Sequence, residues 1–323
     1  MKVSLNNVTK TYDLKGSPAV NNISFTVEHG EILSLLGPSG CGKTTTLRLL
    51  AGFEALDSGF IYFDEKLIAS ANLTLPPEER NIGMVFQDYA LFPHLNVFEN
   101  ITFGIRDKKI KQQECERLLR LINLTGLEKR YPHELSGGQQ QRIALARALS
   151  TKPSLILMDE PFSNLDTSLK KQMRDEIKRI VKDSGVSAVM VTHDPEDALV
   201  MADKIIIMKN GVIEQQGLPH ELYKRPATEF VARFLGEANI LDISSFKETA
   251  TGKVVLRPED ICLSKEGIYE GVVEKSQYLG NRVEVALLYQ NQTILAKVPN
   301  TLVVENGQRI SFSINWDSVY FLN

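Results

Sequence analysis

The chain is poor in cysteine, in charge of one sign and in long apolar runs, and each shortage excludes something. Cys41, Cys115 and Cys262 are its only cysteines, and no two of them form a C-x-x-C pair. That leaves no disulfide framework and no zinc-ligand spacing, and it suits a reducing compartment. The formal net charge is −3 over 323 residues, so the overall balance gives no argument for nucleic acid or an anionic membrane surface as partner. No apolar run approaches the roughly 18 residues needed to span a bilayer. The start, Met1 to Val8, lacks the apolar core of a secretion signal. Any membrane span is then expected from another chain. Internal repeats and low-complexity tracts are missing too. What remains is ordinary for a globular protein, 43% hydrophobic and 24% charged, with length for about two domains.

The most informative stretch runs from Gly37 to Thr45, Gly-Pro-Ser-Gly-Cys-Gly-Lys-Thr-Thr. It fits the phosphate-loop pattern G-x-x-x-x-G-K-[ST], with Gly37, Gly42, Lys43 and Thr44 at the fixed positions. A triphosphate must be wrapped closely by backbone N–H groups, and Gly37, Gly40 and Gly42 remove side chains that would obstruct it. Lys43 is placed to reach the β- and γ-phosphates, and the Thr44 hydroxyl to ligate Mg²⁺. The apolar run Glu31 to Leu36 predicts a buried strand, and Thr45 to Ala51 a helix whose N-terminus faces the phosphates. Upstream, Lys2 to Val8 and Asn22 to Val27 alternate polar and apolar residues, as half-buried antiparallel strands do. Tyr12 lies between them, an aromatic suited equally to stacking on adenine or to packing half-buried.

Downstream, apolar runs repeatedly end in polar residues. Ile82 to Phe86 predicts a strand ending at Gln87, which leads into the aromatic loop Asp88 to Leu95. Loops of that composition tend to touch a partner. Ser154 to Met158 predicts a buried strand ending in Asp159-Glu160, on the ligand side of an open α/β sheet. Adjacent strand residues face opposite ways, so the pair is expected to divide its labour: Asp159 on Mg²⁺, Glu160 on the water aimed at the γ-phosphate. Ser187 to Val191 predicts another buried strand, with His193 just past its end, placed to sense the γ-phosphate. Leu135-Ser-Gly-Gly-Gln139 precedes the strong helix former Gln140 to Leu149. Ser136 is a natural N-cap. The glycine pair is expected to leave a bare, anion-seeking helix mouth, since glycine costs about 1 kcal/mol in a helix interior. Strands alternating with helices imply a mostly parallel sheet. The region from about 90 to 150 reads as a helical insert, and Glu221 to Gly236 as a helical bridge. Beyond about Ile240, short β-like runs between Gly, Asn and Pro turns predict a small all-β barrel.

These residues, in this order, resemble the ATP-binding cassette family over roughly the first 235 positions. Gly37 to Thr45 looks like Walker A, Gln87 like the Q-loop glutamine, and Leu135 to Gln139 like the family signature. Leu155 to Glu160 resembles Walker B with the catalytic glutamate, Ser163 to Asp166 the D-loop, and His193 the switch histidine. The resemblance implies an α/β P-loop NTPase cassette over residues 1–236, a mostly parallel sheet with antiparallel β and helical subdomains. A small OB-like β-barrel would follow at 237–323. ATP and Mg²⁺ are the implied cofactors. Tyr12, Gly37, Pro38, Ser39, Gly40, Cys41, Gly42, Lys43, Thr44 and Thr45 would bind the nucleotide, together with Asp166. Ser136, Gly137, Gly138 and Gln139 would close over the ATP of a second copy. Thr44, Gln87 and Asp159 would hold the metal, and Glu160, His193 and Gln87 would carry catalysis.

The C-terminal segment resembles regulatory domains of importer ATPases, with Leu256-Arg-Pro-Glu-Asp-Ile261 as the local match. The expected protein is the ATPase subunit of a bacterial importer, peripheral on the cytoplasmic face of the inner membrane. Its expected partners are a second copy of itself, membrane permease subunits and, indirectly, an extracytoplasmic solute-binding protein. Pro76 to Arg80 and Gly83 to His94 look most like ferric-iron importer ATPases, which makes ferric iron the expected cargo, with polyamine, sulfate, thiamine and sugar as alternatives. A rival of another class is a non-transport cassette ATPase acting on DNA or ribosomes. The single cassette, the lack of a coiled-coil insert and the net acidity argue against it, and no nucleic-acid partner is expected. In a third reading the barrel senses a solute and ATP acts as the switch.

Overall fold

The computed structural model describes residues 1–13, 16–246, 251–264 and 266–322. Chain contacts divide it into two units, Met1–Pro219 and His220–Asn323.

The first unit opens with strands β1 (Val3–Lys10), β2 (Val20–Val27) and β3 (Ile32–Leu36), then helix α1 (Lys43–Ala51). Strands β4 (Ser58–Phe63), β5 (Lys66–Ser70), β6 (Leu73–Thr74) and β7 (Ile82–Val85) precede the helices α2 (Val97–Thr102), α3 (Lys111–Leu121) and α4 (Gly137–Leu149). Then come β8 (Leu155–Asp159), α5 (Thr167–Ser184), β9 (Ser187–Thr192), α6 (Pro195–Met201), β10 (Lys204–Lys209) and β11 (Val212–Gly217). An antiparallel sheet has the order β2-β1-β4-β5-β6, and a second sheet the order β11-β10-β3-β9-β8-β7. In the second sheet only the β10–β11 pair is antiparallel.

The continuous apolar runs of β3, β8 and β9 follow from burial on both faces. Ile32, Ile156, Met158, Ala188 and Met190 enter a core shared with α2, α3, α4 and α5. Their neighbours Leu33, Leu35, Leu155, Leu157, Val189 and Val191 enter the core beneath the antiparallel sheet and α1. Register then fixes where the strands end. Leu36 pairs with Thr192, Val191 with Asp159 and Met158 with Val85, so Gly37, His193, Glu160 and Gln87 all leave the sheet at one edge. The far end of α1 is fixed by the buried Arg80, whose Nη1 donates to the Leu49 and Leu50 carbonyls at 2.7 and 2.9 Å. No helix among the described residues is long and apolar enough to cross a membrane.

The second unit holds α7 (Pro219–Lys224) from its second residue onward, α8 (Glu229–Phe234) and strands β12 (Asn239–Asp242), β13 (Lys253–Leu256) and β14 (Ile261–Leu263). It ends in β15 (Tyr269–Tyr278), β16 (Arg282–Tyr289), β17 (Gln292–Pro299), β18 (Arg309–Ile314) and β19 (Tyr320–Leu322). Sheets ordered β12-β13-β19 and β14-β18-β15-β16-β17 surround one core centred on Val254, Val285, Leu287, Ile294 and Phe312, an all-β barrel. The helices expected as a bridge before a boundary at 236/237 fall with this barrel. Arg257 explains the attachment: it donates to the Ala232 and Tyr223 carbonyls at 2.8 Å each, and its guanidinium stacks 3.9 Å from the Tyr223 ring centre.

Candidate ATPase site

The phosphate loop leaves β3 and turns into α1. Backbone φ is 79° at Gly40 and 102° at Gly42, left-handed values that side chains resist. A Cβ on Gly42 would stand 2.3 Å from the Ala19 carbonyl oxygen, and one on Gly37 would stand 2.3 Å from that of Met208. Two of the three glycines are therefore demanded by packing within the chain as well as by any phosphate. Gly40 alone opens onto free space. The N-terminus of α1 has no side-chain cap and no acidic residue in its first turn, so its amides and dipole are available to an anion. Lys43 is buried, its ammonium donating to the Gly37 and Pro38 carbonyls at 2.7 and 2.9 Å. Thr44 and Thr45 are half-buried beside it, while Ser39 is exposed. Cys41 is buried, and desolvation pushes its thiol pKa up against the pull of Lys43, which keeps it a packing residue, not a thiolate. Tyr12 is 56% exposed, with the Lys10 ammonium 5.5 Å from its ring centre.

Asp159 closes β8 half-buried, its pKa raised first by burial and then by Glu160, against the opposing pull of Arg48 and Lys43. A desolvated carboxylate of this kind is suited to a cation. Among the described residues no three His, Cys, Asp or Glu side chains gather into a metal cluster. Mg²⁺ needs none, because it is held by one or two carboxylates together with substrate phosphates and water. The donor types at Thr44, Gln87 and Asp159 fit that ion. The sign of the pH effect follows. A carboxyl raised above its ordinary range lends the fold stability below the unfolded carboxylate pKa and loses it as pH rises through the raised value. Asp159→Asn is therefore expected to abolish Mg²⁺-dependent hydrolysis while raising the thermal midpoint near neutral pH by about 2 °C. Calorimetry from about pH 4 to pH 8 checks it; a lower midpoint at neutral pH would contradict the desolvation argument.

Glu160 does not continue the strand. Its φ is 44°, left-handed and strained for a non-glycine residue. The two acids are thus separated by a turn and not by strand alternation, which corrects the reason given from the sequence. The turn is held from several sides. The Glu160 N–H donates to the Val191 carbonyl at 3.0 Å, and the Ser163 hydroxyl to the Glu160 carbonyl at 3.0 Å. Gln141 on α4 donates to the Pro161 carbonyl at 2.7 Å. The Glu160 carboxylate then lies 3.0 Å from His193 Nδ1. His193 stands at the end of β9, ahead of an anchored segment: Arg174 on α5 meets Asp197 at 2.6 Å and Glu196 at 2.9 Å, and Thr192 donates to Asp197 at 3.1 Å. Gln87 is exposed, and its carbonyl accepts from Asn164 at 2.9 Å. Gln141 and Arg174 were not singled out from the sequence. Neither stands in a motif, and both act on main chain or acids far along the chain.

Ser136 to Gln139 lie elsewhere, at the start of α4. A Cβ on Gly138 would stand 3.0 Å from Met173 Sδ, and one on Gly137 would stand 3.5 Å from Leu165. The helix mouth is not bare as expected. The Ser136 hydroxyl accepts from the Gln139 N–H, and the Gln139 side chain accepts from the Ser136 N–H at 3.0 Å, a reciprocal cap. Gly138 also has a packing reason to be small. Asp166 is likewise an N-cap, of α5, accepting from the Leu169 N–H at 2.9 Å. Past Gln87, a groove of about 530 Å³ is lined by Phe53, Met84, Phe86, Phe92 and Phe103. Phe53 and Phe103 are 52% and 60% exposed.

The ABC transporter family profile matches residues 20–163 and the TOBE domain profile residues 254–322. The spermidine/putrescine import ATP-binding protein PotA of Clostridium novyi is 40% identical, covering 99% of this chain and 97% of its own length. The protein of the same name from Aliivibrio fischeri is 41% identical over 96% of this chain and 87% of its own length. Among solved structures, the dimeric bacterial ABC transporter cassette MJ0796 is 31% identical with a TM-score of 0.57, covering 67% of this chain and 98% of that one. The cbiO1 protein of Clostridium perfringens, part of the transporter complex cbiONQ, is 26% identical with a TM-score of 0.63, covering 68% and 90%.

Proposed function

The chain belongs to the ATP-hydrolysing import subunits of the ABC transporter family, and on that footing we propose that it drives uptake of a polyamine through a separate membrane permease. ATP hydrolysis with Mg²⁺ is the activity of the cassette. In the proposed roles, Lys43, Thr44 and the bare N-terminus of α1 hold the phosphates, and Asp159 faces Mg²⁺. Glu160 orients the attacking water, and His193, 3.0 Å from it, reads the γ-phosphate. Gly137 and Gly138 lie against Leu165 and Met173, whereas Gly37 and Gly42 of the phosphate loop lie against Met208 and Ala19. That separation supports a signature that serves a second copy. The exposed aromatic groove beyond Gln87 supports docking of a permease, which would hold the subunit peripherally on the cytoplasmic face of the membrane.

The observation that carries the cargo is the shared name of relatives at 40% and 41% identity over nearly the whole chain. The expected ferric-iron cargo, based on Pro76 to Arg80 and Gly83 to His94, finds no support among them. Deleting the gene in its source cell and following labelled spermidine, putrescine and ferric iron tests the assignment. Polyamine uptake is expected to fall at least about tenfold with iron uptake intact. Loss of iron uptake with polyamine uptake preserved would reverse the reading.

A further inference from the structure

The loop after Gln87 contains two consecutive non-glycine residues in the left-handed region, Tyr89 at φ 62° and Ala90 at φ 44°. Such a pair persists only where its surroundings over-determine it. Tyr89 contributes a buried ring. Arg147, near the C-terminal end of α4, contributes the rest. Its Nη1 donates to the Ala90 carbonyl at 2.7 Å and its Nη2 to the Tyr89 carbonyl at 3.0 Å. Its guanidinium also stacks 5.3 Å from the Phe92 ring centre. The planar fork of arginine suits two adjacent carbonyls as a lysine would not. Asn100 on α2 fixes the other end of the loop, accepting from the Phe92 N–H at 2.9 Å and donating to the Leu95 carbonyl at 2.9 Å.

The helix that carries Arg147 has other contacts that matter. Its first turn is capped by Ser136, and Gln141 reaches the Pro161 carbonyl beside Glu160. Gly137 and Arg147 are about 15 Å apart along a helix rising 1.5 Å per residue. One rigid element thus touches the signature, the catalytic turn and the loop beside the aromatic groove.

We propose that Arg147 is a positioning residue through which α4 holds the Tyr89–Ala90 turn in the shape the groove requires, so that movement of the signature end of α4 reshapes the groove. The inference rests on the reading that this groove engages a permease. It differs from a merely structural role in one respect: the left-handed turn itself is what matters, so relieving its strain must compensate for loss of the clamp.

The test uses the full chain, free and in vesicles with its co-purified permease, as wild type, Arg147→Met and Arg147→Met with Ala90→Gly. In the free subunit, hydrogen exchange of amides 89–95 is expected to rise at least about tenfold in Arg147→Met, with KM for ATP within about twofold. In vesicles, the ratio of permease-stimulated to free hydrolysis is expected to fall about tenfold. Ala90→Gly, which accepts a positive φ without strain, is expected to recover about a third of that ratio. Unchanged exchange at 89–95 overturns the clamp without reference to any permease. Unchanged stimulation with raised exchange overturns the coupling. Equal losses in free and stimulated hydrolysis without rescue by Ala90→Gly would make Arg147 structural only. A wild type that no permease stimulates overturns the docking reading and the coupling with it, and leaves the exchange result to decide the clamp.

Discussion

Glu160→Gln lowers ATP turnover by about 10²–10⁴-fold, the ordinary worth of a general base, while nucleotide stays bound and ATP-bound dimer accumulates. Three features single out this carboxylate. It leaves the sheet at the edge where the phosphate loop also leaves it, by the pairing of Leu36 with Thr192 and of Val191 with Asp159. Its strained φ of 44° is anchored by Val191, Ser163 and, through Pro161, by Gln141, the pattern of a conformation retained for function. Among the described residues its ion-pair partner is His193 at 3.0 Å, and no Lys or Arg pairs with it. Asp159, desolvated by burial first and crowded by Glu160 second, is suited instead to Mg²⁺, and a carboxylate engaged by a cation would not be free to take a proton from water. Glutamine keeps the volume, the turn and an oxygen for His193, so the substitution removes basicity with little else. Single-turnover hydrolysis and sedimentation with ATP check both halves. Wild-type turnover in this variant would place the base elsewhere.

Much of this site was legible because its residues sit at the ends of strands buried on both faces. Leu155 to Met158 and Ser187 to Val191 read as strands since every position is apolar or small, and the polar residue that follows each run is then conspicuous. β11 escaped notice because Val212-Ile-Glu-Gln-Gln-Gly217 is an edge strand with no buried residue. Its turn was nonetheless written in the chain: Asn210 and Gly211 both take positive φ, 50° and 80°, as the Asn-Gly hairpin signal requires. β14 and β19, three residues each, are too short for periodicity to register. In the site, motifs identified residues and not their contacts. Glu160 and His193 are 33 positions apart, and only the register of β8 against β9 brings them together. The glycine pair after Ser136 misled for a related reason. Its capping partner, Gln139, was visible in sequence, but the Met173 sulfur that keeps Gly138 small lies on another helix.

Ser136→Asp is the sharper test of the paired arrangement, because it separates the two jobs that one serine holds. Within its own chain the hydroxyl is a cap for α4. Aspartate caps as well as serine does, and a negative charge at a helix N-terminus is favoured by the dipole. The folded subunit should therefore melt at the wild-type temperature and bind ATP normally at its own phosphate loop. If Ser136 faces the γ-phosphate held by a second copy, the new carboxylate meets an anion there. Two like charges at 4 Å and an effective dielectric of 20 repel by about 4 kcal/mol, so hydrolysis should fall by about 10³-fold. Wild-type hydrolysis in Ser136→Asp would leave the serine as a cap alone. Mixing then tests the geometry directly. Lys43→Ala should also be inactive, having lost its phosphate contact. In a mixed pair, the phosphate loop of the Ser136→Asp subunit meets the intact signature of the Lys43→Ala subunit, and one good site is rebuilt. With random pairing, half the dimers are mixed and half their sites are sound, so roughly a quarter of wild-type sites should return. A mixture that forms dimers yet stays inactive would mean that each chain completes its own site.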